Sequence, residues 1–260
     1  MCVTTDGEVE MSGLVCSLAG AGTRAWLLYA ENPGFWQKFQ DDFYKCFIKD
    51  NRYQMLLGGI GVTIKVSLLS ALLGVIIGFI IAVFNLSNSR ILRTIGKIYT
   101  DIIRGTPSVT QLMIIYFVIF ATIKWSKWII ASIAFGINSG AYVSEIIRAG
   151  ILSVDKGQTE AGRSLGLNAS QTMTNIIIPQ AITNIFPALC NEFITLIKET
   201  AIVGYVGLVD IQKAGDFIKS ATYKAFMPLI GTAVIYFVMI KVLTLLLDKA
   251  EKRMRKSAMR

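Results

Sequence analysis

Residues 66–89 read VSLLSALLGVIIGFIIAVFNLSNS, 24 positions without a single charged side chain. A helix needs about 20 apolar residues to cross the hydrocarbon core of a bilayer. A soluble amphipathic helix would carry a polar stripe through such a run. The run therefore reads as the heart of a transmembrane helix, and its flanks extend the span to 53–84. Four further candidates follow. These are 98–123 (uncharged from Gly105 onward), 128–151, 174–197 within an uncharged run over 164–191, and 226–247. The last is interrupted only by Lys241, whose long stem reaches an interface.

Composition points the same way. Of 260 residues, 53% are hydrophobic and 17% charged, against about 25% charged in soluble domains, and the mean hydropathy is +0.56. The fold class read from the sequence is an all-α membrane protein, a five-span transmembrane helical bundle. Histidine is absent, which excludes a Ser-His-Asp hydrolase, a Cys-His protease and any His-ligated metal. Cys2, Cys16, Cys46 and Cys190 form no CxxC pair, so neither a zinc knuckle nor a disulfide framework is expected. There is no Walker A motif; if ATP drives this protein, another chain hydrolyses it. The expectation is a non-enzyme without catalytic residue, cofactor or metal.

Net charge is +9, and the densest cluster is Lys249, Lys252, Arg253, Arg255, Lys256 and Arg260. It follows directly on an apolar stretch. That placement suits an inside flank facing anionic lipid headgroups, and no nucleic-acid partner is expected. Five spans then put the C-terminus inside and the N-terminus outside, in a multi-pass protein of the cell membrane. Arg90, Arg93 and Lys97 in the first linker agree. Lys38, Lys45, Lys49 and Arg52, ahead of the first span, speak against it.

Residues 1–34 are a Gly/Ser/Ala-rich N-terminal segment, a candidate for disorder and a poor signal peptide. In 35–52, Phe35, Phe39, Phe43 and Phe47 recur every four residues. That makes an amphipathic helix with an aromatic face, which either lies in the membrane interface or packs on a partner outside. Gly74 with Gly78, and Gly136 with Gly140, are small-residue pairs at helix spacing, a signal for close helix packing.

The third linker is the most informative segment. It runs Glu160-Ala161-Gly162-Arg163-Ser164-Leu165-Gly166-Leu167-Asn168-Ala169-Ser170-Gln171-Thr172. The pattern gives a short helix from about Thr159, acidic at its start, stopped by a left-handed glycine at Gly166. A second turn begins at Asn168 or Ser170, both good N-caps. By geometry alone this helix-turn unit over 159–172 is either a docking element or a plain amphipathic connector.

This linker resembles the EAA motif of ATP-binding-cassette import permeases. Glu160, Ala161 and Gly162 stand at its start, then Gly166, Ile176 and Pro179, with Gly162 replacing the third-position alanine and Ile178 the leucine before proline. Further motifs resemble the polar-amino-acid branch of the histidine/glutamine type. They are Arg104-Gly105-Thr106-Pro107 at the second span, and Asn138-Ser139-Gly140-Ala141-Tyr142 with Glu145 and Arg148 in the third. Lys156-Gly157-Gln158 precedes the linker motif, and Pro179-Gln180-Ala181 and Lys198-Glu199-Thr200 lie in the fourth span. The resemblance covers 53–252, read as the permease domain, with 253–260 a basic cytoplasmic tail.

The resemblance implies a type I importer permease that takes up a polar amino acid by alternating access. Its partners would be cytoplasmic ATPase subunits, a second permease subunit in a homo- or heterodimer, an extracytoplasmic substrate-binding protein and the lipid bilayer. Glu160, Ala161, Gly162, Arg163 and Gly166 would couple to the ATPase. Two alternatives stay open: another small amino-acid-like solute, or an ATPase-independent channel or secondary transporter.

Polar and ionisable groups inside spans are costly and point to function. The pathway candidates are Asn138, Glu145, Asn184, Asn191 and Glu192. Glu145 and Arg148, three apart, can pair and brace the bundle instead. Glu192 faces either the substrate or an ion pair with Lys198 or Lys65.

Overall fold

The computed structural model describes residues 34–258, and every regular element among them is helical. The segment 1–34 lies almost wholly outside the described residues. Helix α1 (Phe35–Phe43) leads into a π-helical turn (Tyr44–Ile48). The long apolar run becomes α2 (Tyr53–Leu86), and α3 (Arg90–Arg104) and α4 (Ser108–Ile114) follow. The third predicted span is α5 (Lys127–Leu152). Two short helices, α6 (Lys156–Ser164) and α7 (Ala169–Thr172), lead into α8 (Ile178–Glu199). A 3₁₀ segment (Thr200–Val206), α9 (Ile211–Thr222) and α10 (Phe226–Ala258) complete the chain.

The packing is that of a protein dissolved in lipid. The buried face of α2 is mostly small, with Gly59, Thr63, Ser67, Ser70, Gly74, Gly78 and Ala82, beside Leu56, Val66 and Ile81. Its large residues, among them Leu68, Leu72, Ile76, Phe79 and Val83, face outward. Lipid gives no hydrophobic reward for burying leucine, so small residues win the helix interface by letting backbones approach. The predicted glycine pairs meet there. A Cβ on Gly74 would lie 3.0 Å from Ser139, and one on Gly140 would lie 2.8 Å from Ile77. Ser70 Oγ donates to the Ser132 carbonyl at 3.2 Å and adds a polar tie across the α2–α5 seam. Outermost stands α10, bare along Val234, Phe237, Val238, Val242 and Leu245.

The first and third spans keep nearly their expected limits, and the fifth runs past its expected end at 247 to Ala258; the second departs most. A single helix over 98–123 was expected, but the chain bends by 104° between Arg90–Arg104 and Ser108–Ile119. Pro107 has no N–H to donate and drives Thr106 out of the helical region, so α3 ends at Arg104. The twelve residues after the break rise about 18 Å, too short alone for a core of about 30 Å. The second span therefore crosses only as a bent pair. Gln111 stitches the break: its Nε2 donates to the Ile103 carbonyl at 2.7 Å and to the Thr106 carbonyl at 3.1 Å.

The N-terminal helix also differs from expectation. It is not one helix over 35–52, because Asp50 and Asn51 take positive φ (57° and 52°) just before α2. Nor do its aromatics share one lipid face. Phe47, 9% exposed, and Cys46 are buried with Ile211, Ala214 and Ile218 of α9 and Met227 of α10. Asp42 and Lys224 pair at 3.1 Å. The segment is thus wedged against the α9–α10 corner.

That corner is built around Asp210, whose carboxylate caps α9 by accepting from Lys213 N at 3.0 Å and Gln212 N at 3.2 Å. Tyr236 donates its hydroxyl to the same carboxylate at 3.1 Å. Burial pushes the Asp210 carboxyl above its ordinary range, against these donors, which favour the charged form.

Candidate functional site

The linker after α5 folds as a small, fully capped unit. The Asp155 carboxylate accepts from Gly157 N at 2.6 Å and opens α6 three residues earlier than expected. Glu160 is therefore the fifth residue of α6 and not part of its first turn; the dipole contact expected of it belongs to Asp155. At the far end Gly166 takes φ +84°. Leu167 N donates to the Gly162 carbonyl at 3.2 Å and Gly166 N to that of Arg163 at 3.1 Å. This pair of bonds is a Schellman motif, which needs a left-handed residue at Gly166. Arg163 Nη1 donates to the Leu167 carbonyl at 2.8 Å and closes the same turn.

Asn168 then starts α7 with a capping box. Gln171 N donates to Asn168 Oδ1 and Asn168 N to Gln171 Oε1, each at 2.9 Å. The buried Gly162 lets α6 press on the following helix, since a Cβ there would lie 2.8 Å from Ile176 and 2.9 Å from Thr172. The glycine that departs from the Glu-Ala-Ala pattern is thus a close approach. Glu160, Ala161 and Arg163 are exposed, and at the tip Leu165 is 81% exposed. Nothing in the sequence pattern singled out Leu165.

The unit is continuous with the fourth span. Residues Ala169–Val206 form one helical run, not one beginning at 174. A π-helical turn (Met173–Ile177) takes up the extra residue just before Pro179. Two side-chain bonds tie the linker to this span. Gln180 Nε2 donates to Gln158 Oε1 at 3.2 Å, and Asn184 Nδ2 donates to Ser153 Oγ at 2.9 Å. The cleft between them, about 430 Å³, is lined by Ser153, Asp155, Gln180, Thr183 and Asn184.

The pathway candidates separate into three groups. Asn184 and Asn191 share an exposed face of α8, as their spacing implies. Glu192 is turned inward and accepts from Ser139 Oγ at 2.8 Å; among the described residues neither Lys198 nor Lys65 pairs with it. Asn138 is not on an open face: it is 4% exposed and donates to Gln111 Oε1 at 2.9 Å, which locks α5 to the broken second span. Glu145 accepts three bonds of 2.8–3.2 Å from Arg148. Arg104 places its guanidinium 5.4 Å from the centroid of the Tyr142 ring. Gln111, Ser139 and the Arg104–Tyr142 stack are the contacts that one-dimensional reading missed.

The family described as binding-protein-dependent transport system inner membrane component matches residues 74–256. The chain belongs to this family. The permease is 40% identical to the arginine transport system permease protein of Bacillus subtilis, over 77% of this chain and 92% of that one. It is 36% identical to the L-cystine transport system permease protein of the same organism, over 80% and 89%. Its fold superposes on a crystal structure of an amino acid ABC transporter with histidines. That match has a TM-score of 0.73 and 41% identity, over 80% of this chain and 98% of that one. The helical membrane bundle is therefore that of an ABC importer permease.

Proposed function

We propose that this permease component of an amino-acid ABC importer carries a polar amino acid and is driven through 156–172 by a separate ATPase. The observation that carries the reading is the coupling unit itself. It is capped at both helices, turns at a left-handed glycine and presents Leu165 outward, and its second helix, α7, runs on into the fourth span. A docking force at its tip is thereby transmitted to Asn191 and Glu192 on one rigid helix, the kind of element a switch between two pore states needs. Relatives named for arginine and L-cystine support an amino-acid substrate. The linker side and the C-terminus face the cytosol in this reading, in line with the basic residues at the end of α10.

The bent second span and the exposed polar face of α8 leave polar groups at membrane depth uncovered within one chain. A second permease subunit would close them around a pathway, with a substrate-binding protein delivering from the other side. Glu192 would accept the substrate ammonium.

The test is reconstitution in proteoliposomes with the ATPase and binding protein that co-purify with this permease from its own membranes. Uptake of L-arginine, L-cystine or L-histidine that needs ATP inside the ATPase compartment supports the reading. Uptake that follows an ion gradient and survives without the ATPase contradicts it.

A further inference from the structure

Helix α3 carries two exposed stripes of opposite character at the edge of the bilayer. Arg90 is the first charge after the uncharged run 66–89, and α3 opens on it, just past the end of α2 at Leu86. The helix does not leave that level at once. A Cβ on Gly96 would run into the Asn85 side chain and lie 3.3 Å from Phe84. Arg90 to Gly96 therefore stay beside the last turn of α2, where its charge-free run ends. Helices α2 and α5 run in the same direction, with Gly74 at Ser139 and Gly78 at Val143. This edge is thus on the same side of the bilayer as the coupling unit that follows α5.

Around the helix, Arg90, Arg93 and Lys97 fall within about 60° of one another. Ile91, Ile95, Ile98 and Ile102 fill a second arc about 60° wide, roughly a third of a turn away. Those isoleucines are 73%, 48%, 53% and 58% exposed, and the three cations are exposed as well. The remaining side is the packed one: Gly96 and Thr100 are buried, and the Tyr99 hydroxyl donates to the Ile137 carbonyl of α5 at 2.5 Å. Among the described residues none of the three cations forms an ion pair within 4.0 Å. Arg93 Nη2 meets the Asn88 carbonyl only at 3.5 Å, and Asp101, the one acid of α3, stands a turn beyond Lys97. A helix in water has no use for four open isoleucines, and one deep in lipid has none for three unpaired cations. Both together, beside the end of a charge-free span, are the pattern of an interfacial helix. The molecule that offers an anion and an apolar chain side by side is an anionic phospholipid. We propose that α3 binds one in the leaflet next to the coupling unit. Its phosphate lies on Arg90, Arg93 and Lys97, and its acyl chains run along Ile91, Ile95 and Ile98. The guanidinium fork suits phosphate oxygens, and basic clusters at this level draw anionic headgroups. A protein neighbour over the same face would exclude the lipid, and the experiment separates the two.

The experiment takes the whole transporter, with its ATPase, in nanodiscs of phosphatidylcholine that hold a trace of photoactivatable lipid. Two probes share one photoreactive acyl chain; one is phosphatidylglycerol and the other phosphatidylcholine. After illumination, labelling of the α3 peptide is measured by mass spectrometry. The expected result is labelling by the phosphatidylglycerol probe about tenfold or more above that by its zwitterionic twin. Each of Arg90→Gln, Arg93→Gln and Lys97→Gln should lower that ratio about fivefold, and the triple variant should abolish it. The triple variant Lys249→Gln/Lys252→Gln/Arg253→Gln, which removes cations from the end of α10, should leave the α3 ratio unchanged. Equal labelling of wild-type α3 by both probes overturns the proposal, since the face would then be plain lipid contact. No labelling by either overturns it too, because the face is then covered by protein. A preference that survives the α3 triple variant, or is lost in the α10 variant instead, also overturns it. Should the α3 triple variant fail to assemble, the three single variants decide, and an unchanged ratio in all of them is fatal. The readout needs no transported solute, so it stands or falls separately from the substrate reading above.

Discussion

Gly166→Val tests whether the coupling unit works through its backbone. Gly166 sits at φ +84°, and a Cβ built there meets nothing within 4 Å. The substitution therefore acts by conformation and not by collision within the chain. A left-handed non-glycine residue costs about 1–2 kcal/mol, more for a β-branched one. If the turn opens instead, the Leu167–Gly162 and Gly166–Arg163 bonds are lost, at about 1 kcal/mol each. Either way about 2 kcal/mol or more is withdrawn from the docked geometry, roughly thirtyfold in ATPase association. Asn tolerates the left-handed region far better than Ala or Val. The expected order of ATPase co-purification and ATP-driven uptake is Gly, then Asn, then Ala, then Val, with membrane insertion equal throughout. Full transport and association in Gly166→Val would refute the docking assignment. Equal defects in Asn, Ala and Val would show that docking space, and not the turn, is what the glycine provides.

Glu192→Gln keeps a carbonyl for Ser139 and should slow uptake by about tenfold while expression and basal ATPase activity stay near wild type; poor accumulation with normal turnover per complex would mark Glu192 as a brace instead. Deleting residues 2–34 should leave a folded, transporting bundle. Extending the deletion through Ile48 removes Cys46 and Phe47 from the α9–α10 corner and should cost about 3–5 kcal/mol, read as loss of thermal stability. For Asp210, burial raises the folded-state value above the unfolded one. Its contribution is then fully present below the ordinary carboxylate range and is lost as pH rises through the raised value. Relative to Asp210→Asn, the wild type should lose melting temperature as pH rises from the ordinary carboxylate range, about 4; a relative gain on raising the pH would contradict the sign.

What could be read from one dimension follows from the bilayer. A charge-free run has a length set by the membrane, so the limits of α2 and α5 came out within a few residues. The Gly166 stop and the Asn168 cap are local chemistry and were equally legible. Hydropathy is blind to direction, and the uncharged run beyond Gly105 concealed the bend that Pro107 imposes. Periodicity shows that Phe35, Phe39, Phe43 and Phe47 share a helix face but not what covers it. Phe47 meets α9 and α10, more than 160 residues further along the chain. The sequence could not show that Asn138 is bonded to Gln111, because that partner lies on another helix. The bond from Ser139 to Glu192 was hidden for the same reason. Polar residues in spans announce that something compensates them, and only the fold says what.

The most direct test of the coupling claim is a cross-link from the tip of the unit. A single cysteine replacing Leu165, in a background without Cys2, Cys16, Cys46 and Cys190, would carry a short photoactivatable cross-linker in the assembled transporter. A second variant would carry it at Tyr205, an exposed residue in the 3₁₀ segment at the far end of the fourth span's helical run. The account predicts a cross-link to the ATPase from position 165, with a yield that changes on ATP binding, and none from position 205. An active transporter that cross-links its ATPase from 205, or from neither position, would contradict it.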